Sequence, residues 1–140
     1  MSSYTPAMKL VMDLSSLQSK ILKRLESQLS VHGISFTEFQ VMARLNSAPD
    51  QTMRRIELAE SIGLSASGVT RLLAPMEKRK LVQRQVNTRD ARVSLVQLSD
   101  MGEQLFKDAL TTFEHATAAF MQTLDSEQLR QMNELTAKLL

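Results

Sequence analysis

The sequence has no cysteine, only two histidines and only four glycines among its 140 residues. The absence of cysteine excludes disulfides, thiolate zinc sites, iron–sulfur clusters and cysteine nucleophiles. With His32 and His115 alone, a histidine-based metal site is not expected, and we predict neither metal nor cofactor. No apolar run reaches the roughly 20 residues of a membrane helix, and the N-terminus lacks a secretory signal pattern. We therefore expect a cytoplasmic protein with no membrane contact.

Leucine is abundant in the sequence, whereas glycine and aromatic residues are scarce. The chain has one tyrosine and five phenylalanines, and 43% of its residues are hydrophobic and 23% charged. This composition is ordinary for a globular protein, and 140 residues suit one domain. A mainly helical fold is predicted.

The charge is unevenly distributed along the chain. Residues 53–92 carry nine basic and four acidic residues, a net charge of +5, whereas residues 93–140 carry three basic and seven acidic residues, a net charge of −4. A central basic block indicates a surface for a polyanion, although a solvated charged face would give the same count. The motifs must separate these two interpretations.

Apolar periodicity and capping residues predict helices at both ends of the chain. Apolar residues recur every three or four positions from Met8 to Leu29, and Gly33 follows as a stop. Ser35 and Glu38 have the capping-box spacing for a second helix. Near the C-terminus, Ser99 is expected to cap a fifth helix, and Asp125 with Gln128 to open a sixth.

The spacing of apolar residues changes in the middle of the chain. Thr52 is predicted to cap a short third helix that ends at Gly63, and Ser65 to cap a fourth. Residues 81–86 and 92–98 are short and rich in β-branched residues and leucine, with a polar segment between them. They predict a β-hairpin.

The third and fourth helices have the spacing of a DNA-binding helix-turn-helix unit. Ala59 is small where the helices cross, Gly63 tolerates a positive φ in the turn, and Val69 and Leu72 are apolar anchors. The polar residues left on the outer face suit phosphates and major-groove base edges: Ser65, Ser67, Thr70 and Arg71. The alternative is a helical hairpin that serves only as core.

With the hairpin and the end helices added, the chain resembles the multiple antibiotic resistance regulator (MarR) family of bacterial winged-helix regulators. The resemblance runs nearly end to end, and its most specific parts are residues 64–73, 77–82, 88–92 and 98–102. It implies that the hairpin is the wing, with Arg89 entering the minor groove and Arg92 supporting the wing or contacting the backbone. Asn87 completes the wing residues expected at the interface.

Two positions depart from the family's usual pattern. Asn87 stands where the family usually has an aspartate able to bridge Arg92, so a looser wing tip is expected. Lys80 stands where the family commonly has glycine. If that position needs a positive φ, lysine should be strained there.

The resemblance implies a homodimer built from a single domain, residues 1–140. Residues 1–33 and 100–140 would form the dimerisation helices, and residues 35–98 the winged helix-turn-helix lobe. Independently, so many apolar positions at both chain ends exceed what one such chain can bury, although a compact monomeric bundle is the alternative.

The family's effectors bind between the dimerisation helices and the DNA-binding lobe. Phe36, Phe39 and Met42 are candidates to line that crevice, although plain core packing is the commoner role of such a helix face. An aromatic acid or a hydrophobic compound would be the usual effector.

The function expected is sequence-specific DNA binding for transcriptional control, most often as a ligand-responsive repressor on a pseudo-palindromic operator. The alternative is a winged-helix protein–protein interaction module without DNA. No phosphate-binding glycine loop, nucleophile elbow or metal-spaced cluster is present, so no enzyme activity is expected.

Overall fold

The computed structural model describes residues 3–140, which form six α-helices and a three-stranded antiparallel sheet. The elements, in chain order, are α1 (Pro6–Leu29), α2 (Phe36–Ser47), β1 (Thr52–Arg54), α3 (Arg55–Ser61), α4 (Ala66–Lys78), β2 (Val82–Val86), β3 (Ser94–Leu98), α5 (Asp100–Phe120) and α6 (Ser126–Leu139). Short 3₁₀ turns lie at Ser30–His32 and Pro49–Gln51. Within this part of the chain, no helix has both the length and the apolar content to cross a membrane. The mainly helical fold with a β-hairpin wing is confirmed.

Local capping residues define most helix starts as predicted. Ser35 and Glu38 form a reciprocal capping box at α2, and Asp125 and Gln128 form another at α6. The hydroxyl of Ser99 accepts from the backbone N–H of Gly102 at 2.9 Å and so caps α5. These caps satisfy backbone N–H groups that a helix leaves without partners.

The prediction that Thr52 caps the third helix is wrong. Residues 52–54 instead form β1, which pairs with residues 95–97 of β3. The Thr52 hydroxyl donates to the carbonyl of Asp50 at 2.8 Å. Arg54 is the residue before α3, and its side chain makes no capping hydrogen bond. The sheet order is β1-β3-β2, with β3 in the middle.

One core joins the helices to the inner face of the sheet. Its fully buried side chains include Leu29 of α1, Met42 and Leu45 of α2, and Leu58 of α3. Leu73 and Met76 of α4, Val96 of β3 and Ala109 of α5 are also fully buried. The core thereby holds α3 and α4 against the wing strands.

The start of α5 packs tightly on the start of β2. A Cβ atom on Gly102 would lie 2.1 Å from the carbonyl oxygen of Leu81, which no side chain can tolerate. The Ser99 hydroxyl also reaches the carbonyl of Lys80, at 2.6 Å. The base of the wing is therefore fixed to α5.

The two end helices bury little of their apolar surface within the chain. No residue of α6 is buried, and only Leu25 and Leu29 of α1 are. Exposed apolar side chains on these helices include Met8, Leu10, Val11, Met12, Leu135 and Leu139.

Candidate nucleic-acid interface

A tight turn sets the geometry between α3 and α4. Gly63 has φ +71°, and the N–H of Leu64 donates to the carbonyl of Ala59 at 2.9 Å. The N–H of Gly63 donates to the carbonyl of Glu60 at 3.3 Å, which completes a Schellman-type end to α3. Only glycine adopts this φ without strain. The turn predicted from Gly63 is thus present.

The first half of α4 presents a polar surface. Ser65 accepts from the N–H of Gly68 at 3.1 Å and caps the helix. Ser65, Ser67, Thr70 and Arg71 are all exposed, whereas Val69 on the opposite face is buried. The four residues predicted for the recognition face therefore share one end and one exposed side of α4. Unpaired N–H groups at a helix start favour phosphate, and exposed hydroxyl and guanidinium groups suit base edges.

Thr70 is also part of a link between α3 and α4. Its hydroxyl donates to the carbonyl of Ala66 at 3.0 Å and accepts from Nη2 of Arg55 at 3.2 Å. Because its proton is already donated, Thr70 retains an acceptor lone pair and a methyl group for an outside partner.

Arg55 has a structural role that the sequence did not predict, since it was only one charge in the basic block. Its side chain is 13% exposed, and its Nη1 lies 3.3 Å from Oε1 of Glu77. Thr70 and Glu77 are seven positions apart and so lie on one face of α4, which is the signal that could have indicated a shared partner on α3. Arg55 joins the two helices of the unit.

The wing tip is organised by Asn87 and Asp90. The side-chain oxygen of Asn87 accepts from the N–H groups of Arg89 at 2.8 Å and Asp90 at 3.2 Å. The Asp90 carboxylate accepts from the backbone N–H, Nε and Nη2 of Arg92, at 3.0, 3.1 and 3.2 Å. Asp90 therefore provides a carboxylate bridge to Arg92 from within the tip, and the looser tip expected from Asn87 stays a prediction. Arg89 lies exposed between these contacts.

The same contacts alter the acidity of Asp90. Hydrogen bonds from the side chain and the backbone N–H of Arg92 lower the pKa of the Asp90 carboxyl below its ordinary value. The carboxylate is thus ionised whenever the protein is near neutral pH.

Lys80 confirms the strain expected at its position. It has φ +63°, and its N–H donates to the carbonyl of Glu77 at 3.0 Å. The N–H of Leu81 donates to the carbonyl of Met76 at 2.9 Å. Lys80 therefore occupies the left-handed position of a Schellman motif, where glycine is normal.

A groove of about 700 Å³ runs between α3, α4 and the start of β3 next to the wing tip. Its charged lining consists of the carboxylate of Glu60 and three guanidinium side chains, those of Arg54, Arg55 and Arg92. Apolar side chains such as Ile56 and Val69 complete the walls. Each of these guanidinium groups is also paired with a carboxylate, which partly neutralises its positive charge. The groove is continuous with the recognition face because Thr70 also lines it.

The three candidates for an effector crevice separate into two groups. Phe39 and Met42 lie in the core, and Phe39 packs against Phe106 and Phe113. Phe36 is half-buried and stacks on Phe113 with ring centroids 6.0 Å apart. It also lines a crevice of about 480 Å³ between α1 and α2.

The arrangement supports non-covalent binding of an anion. In residues 3–140, no group of three or more histidine, aspartate or glutamate side chains is placed to hold a metal ion. The polar groups at the interface include cations, hydroxyls and backbone N–H groups, which contact phosphates and base edges.

Comparison with known proteins identifies a matching family model and two similar transcriptional repressors. The family model described as the MarR family matches residues 34–94. The transcriptional repressor MprA of Escherichia coli is 27% identical over 124 residues, which cover 89% of this chain and 70% of the relative. The transcriptional repressor MdtR of Bacillus subtilis is 27% identical over 128 residues, covering 91% and 81%.

A solved structure shows the same fold over the whole chain. It is a mutant MarR from Escherichia coli complexed with operator DNA, with a TM-score of 0.89, 19% identity, and coverage of 100% of this chain and 99% of that one. The helix-turn-helix, the wing and the long end helices are thus shared across the full length. Residues 34–94 thus match the MarR family model, and the chain shares the winged-helix fold of MarR along its length.

Proposed function

We propose that the protein binds a pseudo-palindromic operator in double-stranded DNA as a homodimer and acts as a ligand-responsive repressor of transcription. The observation that carries this is the exposed first half of α4, where Ser65, Ser67, Thr70 and Arg71 converge beside a groove lined by three arginines. A helix of 13 residues with a polar N-terminal half fits the major groove.

In this proposal the two parts of the interface differ in what they recognise. Arg71 is exposed on α4 and long enough for a bidentate contact to guanine. Arg89 projects from a tip that Asn87 and Asp90 hold in shape, which suits insertion into a narrow minor groove of high negative potential. Arg92, 90% exposed beside Asp90, is assigned to the DNA backbone.

The proposed dimer uses residues 1–33 and 100–140, with residues 35–98 as the DNA-binding lobe. α6 buries no side chain within its own chain, yet Met132, Leu135 and Leu139 repeat at helical spacing along it. The N-terminal half of α1 exposes a second apolar set. Association of two copies would remove both surfaces from water, and two α4 helices would then face successive major grooves.

An effector is proposed to occupy the crevice between α1 and α2. Its lining is mainly aliphatic and aromatic with a few amide and hydroxyl groups: Leu14, Leu17, Gln18, Ile21, Leu22, Phe36, Thr37, Gln40 and Ile62. Because none of these lining residues is a cation, the crevice favours a neutral hydrophobic compound over an aromatic acid. Isothermal titration of a neutral hydrophobic compound into the parent chain and into Phe36→Ala tests this assignment. Equal affinities of the two proteins for the compound would contradict it.

The direct experiment is a gel shift against the DNA upstream of the protein's own reading frame, with an unrelated fragment of equal length as competitor. The proposal predicts a discrete complex that survives the competitor. Loss of the complex at equal concentrations of competitor would contradict sequence-specific binding, and the absence of any complex would favour a protein–protein interaction module.

A further inference from the structure

The basic run at the end of α4, residues 78–80, contains one side chain that bonds to a distant part of the protein. Nη1 of Arg79 donates to the carbonyl of Gly33 at 2.8 Å, across 46 positions of sequence. The same nitrogen lies 4.0 Å from Oε2 of Glu38. Arg79, the residue that follows α4, therefore contacts the junction between α1 and α2.

That junction is itself tied to the rest of the protein. Glu38 accepts from the N–H of Ser35 at 2.8 Å, and Glu26 of α1 accepts from the N–H of Phe36 at 2.9 Å. Nε2 of His32 lies 2.7 Å from Oγ1 of Thr112 on α5. The junction thus has a defined position relative to α1, α2 and α5, and Arg79 extends that connection to α4.

The packing of α4 gives this contact its importance. Val69, Leu73 and Met76 anchor α4 on its buried side, and the helix packs mainly on α3 and β2. The guanidinium of Arg79 adds a directional hydrogen bond to the carbonyl of Gly33. This bond lies at the C-terminal end of α4, and the polar surface of α4 lies at its N-terminal end. Fixing both ends of a rigid helix fixes the position of every side chain between them.

We infer that Arg79 is a positioning residue that holds the C-terminal end of α4 on the α1–α2 junction, so that base recognition depends on it without its touching DNA. The inference rests on the proposed function. Hydrogen bonds to base edges require donor–acceptor distances of about 2.7–3.2 Å. Attraction between cations and phosphates tolerates displacements of an ångström or more, since it falls off slowly with distance.

The test compares Arg79→Gln and Arg79→Lys with a matched control, Lys78→Gln. Lys78 is the neighbouring exposed cation on the same helix end. Fluorescence anisotropy is measured on the upstream DNA fragment and on an unrelated fragment, each across a salt series. Both Arg79 variants should bind the upstream fragment about tenfold more weakly, which is the scale of a single hydrogen-bonded base pair recognised by one side chain. Their affinity for unrelated DNA should change less than about twofold, and Lys78→Gln should leave the ratio of affinities unchanged.

Three results would overturn the inference. Full affinity of Arg79→Lys for the upstream fragment would assign Arg79 to a phosphate contact, because lysine keeps the charge. A parallel loss of affinity on both DNA fragments, with a shallower salt dependence, would likewise assign Arg79 to a phosphate. Parent-like ratios for both variants would mean that the contact does not position α4. If the parent chain itself does not discriminate between the two fragments, the proposed function fails, and the parent is therefore measured before any variant is made.

Discussion

Nη2 of Arg55 donates a hydrogen bond to the hydroxyl of Thr70 at 3.2 Å, and the same guanidinium contacts Glu77 at 3.3 Å. This largely buried arginine joins α3 to two points, seven residues apart, on one face of α4. The helix-turn-helix is therefore held by a polar clamp as well as by its apolar core. The clamp also determines how Thr70 meets a partner, since its proton is committed to the carbonyl of Ala66.

Replacing Arg55 with methionine should lower the free energy of unfolding by about 1–2 kcal/mol, because Glu77 and Thr70 lose a shielded donor. Arg54→Met is the control. Arg54 and Glu57 are 3.9 Å apart and both more than half exposed, so that pair should contribute less than about 0.5 kcal/mol. Urea unfolding followed by circular dichroism measures both. Equal losses of stability in the two variants would contradict a clamp at Arg55.

Lys80→Gly should stabilise the protein by about 0.5–1 kcal/mol. Glycine relieves the left-handed strain at φ +63°, and this gain exceeds its larger entropy in the unfolded chain. The hydrogen bond from Ser99 is to the backbone carbonyl and is retained. Lys80→Ala serves as the control and should not stabilise, because alanine keeps a Cβ atom. A lower urea midpoint for Lys80→Gly would show that the lysine side chain is needed.

Elements defined by local sequence were predictable, whereas elements made by distant pairing were not. The capping boxes at Ser35 and Asp125 involve residues three positions apart, so the sequence contains all the information they need. β1 has only three residues and exists because β3, more than 40 positions later, supplies its hydrogen-bond partners. Thr52 has the right side chain for a cap, but that pairing extends its backbone into a strand.

The same distinction applies to the site. The exposed positions on α4 follow from helical periodicity, and the positive φ at Gly63 follows from its residue type. The roles of Arg55 and Arg79 depend on partners on other elements, so the sequence presents them only as two charges within a basic block. The bridge from Asp90 to Arg92 forms within the wing tip, and the departure at Asn87 did not indicate it.

The clasp between Asp90 and Arg92 should open only in acid. Because the pKa of Asp90 is lowered in the folded protein, the clasp stabilises the wing above the unfolded pKa and is lost as the pH falls through the folded pKa. A carboxyl-carbon NMR titration should place the Asp90 midpoint below the ordinary aspartate value. In Arg92→Ala the midpoint should move upward toward that value. An unchanged midpoint would mean that Arg92 does not contact the carboxylate in solution.

Leu135→Asp should convert the proposed dimer to a monomer without unfolding the chain. Leu135 is 60% exposed on α6, so a charge there costs the isolated subunit little. In a dimer the same carboxylate would be buried in an apolar interface. Light scattering at micromolar concentration should give the mass of two chains for the parent and one for the variant. Asn133→Asp, an exposed polar position on the same helix, is the control. A monomeric parent would contradict the dimer outright.

The measurement that tests the proposed DNA interface most directly is a salt titration of DNA affinity for the parent chain, Arg71→Ala and Arg89→Ala, on the upstream fragment and on unrelated DNA. The parent should prefer the upstream fragment. Arg71→Ala should weaken binding to that fragment by about 1–3 kcal/mol and binding to unrelated DNA by less. Arg89→Ala should weaken binding to both and lower the salt slope by about one for each phosphate that each subunit no longer neutralises. If both variants bind both DNA fragments as the parent does, α4 and the wing do not contact DNA, and the central claim is wrong.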